Sequence, residues 1–269
     1  MMGAAPVAPI APIVPIAPLL ELRRATMRFG GVVALDDVSL GVEAGRVTCL
    51  LGENGAGKST VIGILSGVQR PTAGEVLVDG RAVTLGSPRE ARALGIATVY
   101  QTLALVPLMA VWRNFFLGEE PTTGRGPFRR LDVARCRRES RDALETMGIA
   151  MRDVDRPVGA LSGGERQSIA IARALHFGAR VLILDEPTAA LGVKQAEIVL
   201  EQVARARERG AAVLLVTHNP AHALRAGDDF VVLRRGRLAA RLPAADASLE
   251  RLARLMGGDD EAGQDSGER

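Results

Sequence analysis

"VTCLLGENGAGKST" (residues 47–60) decides the fold. VTCLL reads as a short buried strand, GENGAGKST fits the pattern G-x-x-x-x-G-K-[ST], and STVIGILSG (59–67) reads as the helix that follows. A strand passing through a glycine-rich loop into a helix is the setting in which a P-loop works. Gly52, Gly55 and Gly57 relieve Cβ crowding, so that consecutive N–H groups from Gly52 through Glu53, Asn54, Gly55, Ala56, Gly57 and on to Thr60 face phosphate oxygens. Lys58 reaches the β and γ oxygens, and Ser59 offers a hydroxyl to Mg²⁺. Of 34 basic residues only Lys58 and Lys194 are lysine. A compact, rotatable ammonium suits a phosphate cradle better than a planar guanidinium fork.

Outward from this loop the chain alternates short apolar runs with helical stretches, the signature of a layered α/β core. On the N-terminal side, segments 20–28 and 36–42 join EVLVDGRAV (75–83) in a small antiparallel layer, the last being a hairpin that turns at Asp79 and Gly80. GIATVYQ (95–101) returns to a buried strand. Residues 102 to about 180 turn mainly helical, with a polar insert at EEPTTGRGPFRR and an Arg-rich helix around 132–147, so an inserted helical subdomain is expected. VLILDEP (181–187) and AAVLLVTHNP (211–220) are further strands, DDFVVLRRGRLAARL (228–242) is a hairpin turning at Arg235 and Gly236, and a terminal helix ends near Met256. Residues 1–19 and 259–269 are expected to be tails.

Both apolar strands 181–185 and 212–217 deliver polar groups at their C-terminal ends, the edge of a parallel sheet where ligands sit. Asp185 is placed to hold Mg²⁺, directly or through water. Glu186, directly after it, can take a proton from water attacking a γ-phosphate. His218 can donate to that phosphate or position the water, although a histidine at a strand end is more often structural. Gln101 offers an amide to both metal and water. Phe29, in the antiparallel layer, is free to stack on adenine or to serve as a core aromatic. A second small-residue loop, LSGGERQ (161–167), opens another helix with Ser162, Gly163, Gly164 and Glu165 about a hundred residues after the first. One triphosphate therefore has two candidate edges.

Bulk properties limit what else the chain can do. Its 269 residues, 47% apolar, are enough for one large core. Aromatic residues make up 3%, too few for a single-strand stacking platform, and the net charge of +3 gives no sign of a nucleic-acid partner. Cys49 and Cys136 have no metal-ligand or disulfide spacing and fit a reducing compartment. The first residues carry Pro6, Pro9, Pro12, Pro15 and Pro18 at a period of three, which matches polyproline II and fits neither a membrane helix nor a leader peptide. No stretch of about 18 uninterrupted apolar residues occurs.

Phe29, GENGAGKST, Gln101, LSGGERQ, LILDEP and THNP occur in an order and spacing that resembles the ATP-binding subunit of ABC transporters, over about residues 20–258. LSGGERQ is the most diagnostic, because P-loops are shared by many NTPases. The resemblance implies an α/β P-loop NTPase (RecA-like) core with an antiparallel β layer and a helical subdomain at about 102–178. It also implies that Ser162, Gly163, Gly164 and Glu165 serve an ATP held by the P-loop of a second, head-to-tail copy, with Mg²⁺ as cofactor. It implies membrane permease partners docking beside the segment after Gln101, where Trp112, Phe115 and Phe116 are either contact residues or core. EPTAALGVKQ and LSGGERQSIAIARAL look like the ATPases of simple-sugar importers, especially the single-cassette fructose type, and that likeness implies a cytoplasmic subunit, peripheral on the inner face of the cell membrane, with an exported sugar-binding protein as an indirect partner. Another cargo such as amino acids, a soluble ABC ATPase acting on nucleic acid or ribosomes, and a small-molecule P-loop kinase are the competing readings. Gly192 stands where many relatives carry Asp, which puts the cross-subunit role of that position in doubt.

Overall fold

The computed structural model describes residues 18–151 and 153–257. The two expected tails lie almost wholly outside that range. In chain order the elements are β1 (Leu20–Phe29), β2 (Val32–Val42), β3 (Val47–Leu51), α1 (Lys58–Leu65), β4 (Ala73–Val78), β5 (Arg81–Val83), α2 (Pro88–Ala93), β6 (Ile96–Val99), α3 (Val111–Phe116), β7 (Thr122–Thr123), β8 (Arg130–Leu131) and α4 (Val133–Thr146). They continue with α5 (Gly163–His176), β9 (Val181–Asp185), α6 (Val193–Glu208), β10 (Ala212–Thr217), α7 (Pro220–Ala226), β11 (Asp229–Arg234), β12 (Arg237–Pro243) and α8 (Leu249–Gly257).

A six-stranded sheet in the order β12-β11-β3-β10-β9-β6 forms the centre. It is parallel except for β12, which pairs antiparallel with β11. Its central strands β3, β9 and β10 are almost wholly apolar and buried because both faces are covered, as parallel sheets require, whereas the antiparallel edge strand β12 is largely exposed. The period-two alternation then sorts residues between two cores. Leu50, Ile183, Leu214 and Val231 face one core, while Cys49, Leu184, Leu215 and Phe230 face the other. The first core also takes β1, β2, β4 and α1, so α1 is sandwiched between the central sheet and the antiparallel sheet β2-β1-β4-β5. That explains why Val61, Ile62, Ile64 and Leu65 are buried in succession rather than along a single stripe. Each such side chain is worth about 1.5–3 kcal/mol of burial. The second core takes residues of α3 to α8.

The expected turns are where the sequence put them. Asp79 and Gly80 have φ of 50° and 72°, and Arg235 and Gly236 have 49° and 77°. Two consecutive positive values are what a two-residue hairpin needs to match the strand twist. Elsewhere the boundaries move. The outer strand expected from residue 36 begins at Val32, because β1 and β2 form one long hairpin closed by Gly30–Gly31. The strand expected to reach Gln101 stops at Val99. Trp112, Phe115 and Phe116 are buried in the second core, with Phe115 and Phe116 meeting the rings of His176 and Phe177 edge-on or tilted, so the core alternative holds and the contact alternative does not. Both cysteines are buried and free. Among the described residues no helix is long and apolar enough to cross a membrane.

Candidate active site

The parallel register brings the sequence motifs to one edge. Leu51 pairs with Thr217, Val216 with Asp185, and Val99 with Leu184. The next residues out of each strand are therefore Gly52, His218, Glu186 and, two beyond Val99, Gln101.

The P-loop is held by its glycines. Gly52, Gly55 and Gly57 have φ of 153°, 82° and 108°. A Cβ on Gly52 would lie 2.4 Å from Leu233 O, and one on Gly57 would lie 2.9 Å from Ala34 O. Gly236 N–H donates to Ala56 O at 2.9 Å and Asp36 N–H to Gly236 O at 2.8 Å, so the second hairpin turn clamps the loop against β2. Helix α1 starts after Gly57 with no side-chain cap. Its first N–H groups, which have no intrahelical acceptor, thus face outward as an anion-binding end. The Lys58 ammonium is buried and donates to Gly52 O at 2.6 Å and Glu53 O at 3.0 Å. Burial lowers its pKa, and the Glu186 and Asp185 carboxylates partly oppose that. Ser59, Glu53, Asn54 and Gly55 are exposed, and Thr60 sits in the first turn of α1.

Across the edge, burial raises the Asp185 carboxyl above the usual carboxylate range; Glu186 adds to the rise and Lys58 opposes it. Glu186 has φ of 47°, a strained value for a non-glycine residue, and its N–H is held by Val216 O at 2.9 Å. Its side chain is only 12% exposed. Asn219 N–H donates to Thr217 Oγ1 at 3.1 Å, which turns the Thr217 hydroxyl proton toward Glu186 Oε2, 3.3 Å away. His218 Nδ1 lies 2.8 Å from Glu186 Oε1 with the imidazole 56% exposed. The arrangement is a shielded carboxylate oriented by a hydroxyl and an imidazole, with the other imidazole nitrogen left for a ligand. Such a carboxylate can accept a proton from water. Gln101 is exposed, two residues beyond the C-terminal end of β6. Among the described residues no cluster of three or more His, Cys, Asp or Glu forms a metal cage. One carboxylate and a hydroxyl suit Mg²⁺ completed by phosphates and water, which is how that ion is commonly held.

Phe29 ends β1 just before the Gly30–Gly31 turn and is 46% exposed, so it is not a core aromatic. The hairpin that carries it is the one that packs Ala34 against Gly57.

LSGGERQ forms the start of α5. Ser162 is the N-cap: its hydroxyl accepts from Glu165 N–H at 3.2 Å, while Glu165 Oε2 accepts from Ser162 N–H at 2.7 Å, a reciprocal capping box. Gly163 and Gly164 pack on the start of α6, where added Cβ atoms would lie 2.5 Å from Leu191 Cδ2 and 2.9 Å from Gln195 O. Helix α5 packs in the second core and α1 in the first, so the signature helix and the P-loop helix lie on opposite faces of the central sheet.

Two features escaped the sequence reading. The capping box was legible as Ser-x-x-Glu. The other is His222 on α7, whose Nδ1 lies 2.9 Å from the buried Thr188 hydroxyl and ties the turn after Glu186 to the helix after His218. A second histidine four residues after the first, on a helix capped by Asn219, was its only signal.

Residues 35–189 match the profile of the family described as ABC transporter. The chain is 40% identical to the xylose/arabinose import ATP-binding protein XylG of Sulfolobus acidocaldarius, over 88% of this chain and 93% of that one. It is 41% identical to the fructose import ATP-binding protein FrcA of Rhizobium meliloti, over 81% and 85% respectively. It is 46% identical to a ribose import ATP-binding protein, RbsA 1, of Rubrobacter xylanophilus, over 89% of this chain but 47% of that protein, so it spans about half of that relative. Among solved structures, an ATP-binding cassette of an ABC transporter in its ADP conformation matches with a TM-score of 0.76 at 26% identity, covering 90% of this chain and 95% of that one. A dimeric cassette bound to ADP and Pi matches with a TM-score of 0.69 at 27% identity, covering 84% and 98%. With both the fold and the ordered motifs in agreement, this chain belongs to the ABC transporter family as an ATP-binding cassette.

Proposed function

We propose that this chain is the ATP-hydrolysing subunit of an ABC importer for a simple sugar, acting as a head-to-tail pair beneath a separate membrane permease. The observation that carries the reading is the division of the two glycine-rich helix starts between opposite faces of the central sheet, while Glu186, His218 and Lys58 share one edge. A P-loop that holds a triphosphate leaves its far side uncovered in one chain. The signature helix of a second copy supplies that cover, and the dimeric ADP–Pi relative supports this arrangement. The sugar cargo rests on relatives named for xylose/arabinose and fructose import that match over most of their length.

In this reading Phe29 stacks on the adenine, the N–H groups from Gly52 to Thr60 bind the phosphates, and Lys58 turns one of its three protons toward the γ-phosphate. Ser59, Asp185 and Gln101 hold Mg²⁺, which supplies charge neutralisation on the phosphates when bound. Glu186 accepts the proton of the attacking water, and His218, oriented through Nδ1, presents Nε2 to the γ-phosphate. The N–H groups of Gly163 and Gly164 reach the same phosphate from the partner copy. Once phosphate leaves, that bridge is lost and the pair opens.

The motion is passed to the permease at an apolar groove between β6 and α5, a cavity of about 230 Å³ lined by Tyr100, Leu103, Leu105, Phe177, Arg92 and Arg173. This groove takes over the role that Trp112, Phe115 and Phe116 do not play; in this reading the chain works at the inner membrane face, with an exported sugar-binding protein as indirect partner. The test is Glu186→Gln. Phosphate release falls about 10²- to 10⁴-fold, the scale of general-base loss, while ATP binding persists and an ATP-dependent dimer accumulates on a sizing column. Turnover at the wild-type rate overturns the assignment of Glu186.

A further inference from the structure

The stretch TTGRGPFRRL (122–131) is absorbed by none of the chemistry above. It folds as a small hairpin, β7 paired with β8, whose turn contains Gly124 and Gly126 at φ of 88° and 56°. A Cβ on Gly124 would lie 2.5 Å from Phe128 O, so the turn is specified by its glycines. At its tip Phe128 is 78% exposed, with Leu131 also exposed beside it and Arg125 and Arg130 on either side. Helix α4 follows directly. It buries Cys136, Ser140 and Leu144 and presents Arg138 and Arg141, one turn apart, to solvent. From residue 125 to 141 there are seven arginines against two carboxylates, whereas the whole chain carries a net charge of +3. Arg129 donates to Thr122, Arg135 pairs with Glu139 and Arg137 with Asp155, which leaves the exposed Arg125, Arg130, Arg138 and Arg141 beside an exposed aromatic, a combination that selects an anionic cover with an apolar interior.

We propose that this hairpin tip and the adjoining face of α4 contact an anionic lipid surface, with Phe128 entering the headgroup boundary and the arginines meeting lipid phosphates. Exposed aromatic residues flanked by basic ones are the composition of interfacial anchors. Basic groups near an anionic leaflet add to one another within a Debye length. A nucleic-acid surface fits less well, because base stacking uses several rings and this patch offers one. The root of the hairpin supports the same orientation. Leu117 O accepts from Arg173 and Glu119 pairs with Arg92 at 3.1 Å, and both arginines line the groove assigned above to the permease. The hairpin therefore leaves the body of the molecule at the rim of that groove. This orientation rests on the permease reading, but lipid contact by the isolated chain does not. A single shallow anchor gives weak, reversible binding, which suits a subunit whose second attachment is a protein.

The test uses the full chain and sedimentation with vesicles of phosphatidylglycerol and phosphatidylcholine in equal parts, beside vesicles of phosphatidylcholine alone. Binding to the anionic vesicles at low salt, weakened by added salt and absent on neutral vesicles, is expected. Arg125→Glu and Arg130→Glu each reduce it about fivefold or more, the effect of one basic group near the surface. Phe128→Ser reduces it at least about fivefold. Phe128→Trp, which keeps the anchor, retains binding and gains a blue-shifted emission on the vesicles. ATPase activity in solution stays at the wild-type level in all four variants, which reports that they fold. No sedimentation of the wild type with anionic vesicles at low salt, undiminished binding by the variants, or binding to a DNA duplex in place of vesicles overturns the proposal. Vesicle binding combined with a failure of purified permease to stimulate the ATPase removes only the permease reading.

Discussion

The P-loop and the signature loop are both glycine-rich starts of helices, yet they are built in opposite ways. In the first, the glycines adopt positive φ, no side chain caps the helix, and a buried ammonium is folded back onto the loop's own carbonyls. In the second, Ser162 and Glu165 satisfy each other in a complete capping box, and the glycines are small because α6 packs on them. The first is charged and under-satisfied until phosphates arrive. The second is stable by itself and offers only the N–H groups of Gly163 and Gly164, which lie too early in the helix to find an intrahelical carbonyl. One sequence cue thus encodes a ligand cradle in one place and a finished helix cap with spare donors in the other.

The largest effect expected from this contrast is on the charged side. Asp185 is raised by burial and by Glu186. An acid with a raised folded-state pKa keeps its proton longer when folded, so its favourable contribution is full in acid and is lost as pH climbs through the raised value. Asp185→Asn cannot ionise. Without nucleotide it melts at a higher temperature than the wild type at neutral pH, and the difference closes as the pH falls. Its turnover drops at least about a hundredfold, since groups that merely support a metal already act on that scale. A variant that melts lower than the wild type at neutral pH breaks the claim that the cradle is strained before ligand arrives.

Next in size is the backbone difference. Gly57→Ala forces a Cβ to 2.9 Å from Ala34 O at a φ of 108°, which costs on the order of 1–3 kcal/mol for the conformation before the clash is counted. Gly163 has no positive φ, and its added Cβ meets Leu191 Cδ2, the movable end of a side chain. Gly163→Ala therefore leaves the melting temperature closer to wild type than Gly57→Ala does, as urea or thermal unfolding will report. Gly164 is less forgiving than its neighbour, because its added Cβ meets the Gln195 backbone, and substitutions there mix packing loss with function.

This is also where the sequence stopped being sufficient. The strand-to-loop-to-helix context located the P-loop, and the apolar runs ending in DEP and TH placed Glu186 and His218 on its edge, because period and register are written in the chain itself. Asp79–Gly80 and Arg235–Gly236 were readable as turns for the same local reason. Trp112, Phe115 and Phe116 were not resolvable. Helix α3 has six residues, four apolar around Arg113 and Asn114, too few turns for an amphipathic stripe to say which way it faces, and its burial is decided by α5 and the Phe177 ring. Thr188 and His222 meet across 34 residues, a contact that only the packing of α7 creates.

A smaller effect separates the cap from the donor role of the signature loop. Ser162→Ala removes a hydroxyl that accepts from Glu165 N–H and costs about 1 kcal/mol of stability, as N-cap losses do. Hydrolysis at concentrations that favour pairing falls, while ATP affinity measured in dilute solution is unchanged. Loss of affinity in the dilute monomer would put the site within one chain and undo the comparison.

The smallest expected change tests Gly192. It is the N-cap of α6 with no side-chain hydrogen bond, at φ −68° and ψ 160°, and a Cβ there meets nothing within 4 Å. Any residue can take that backbone, and an aspartate in it can accept from the first N–H groups of α6. Gly192→Asp is therefore expected to stabilise the folded chain by a few tenths of a kcal/mol, the usual gap between glycine and aspartate at this position. Because α6 carries Gln195, which packs on Gly164, a firmer α6 also steadies the signature loop from beneath. A rise in melting temperature with unchanged turnover assigns position 192 to helix capping in this chain. A change in turnover without a change in melting assigns it to contact between copies.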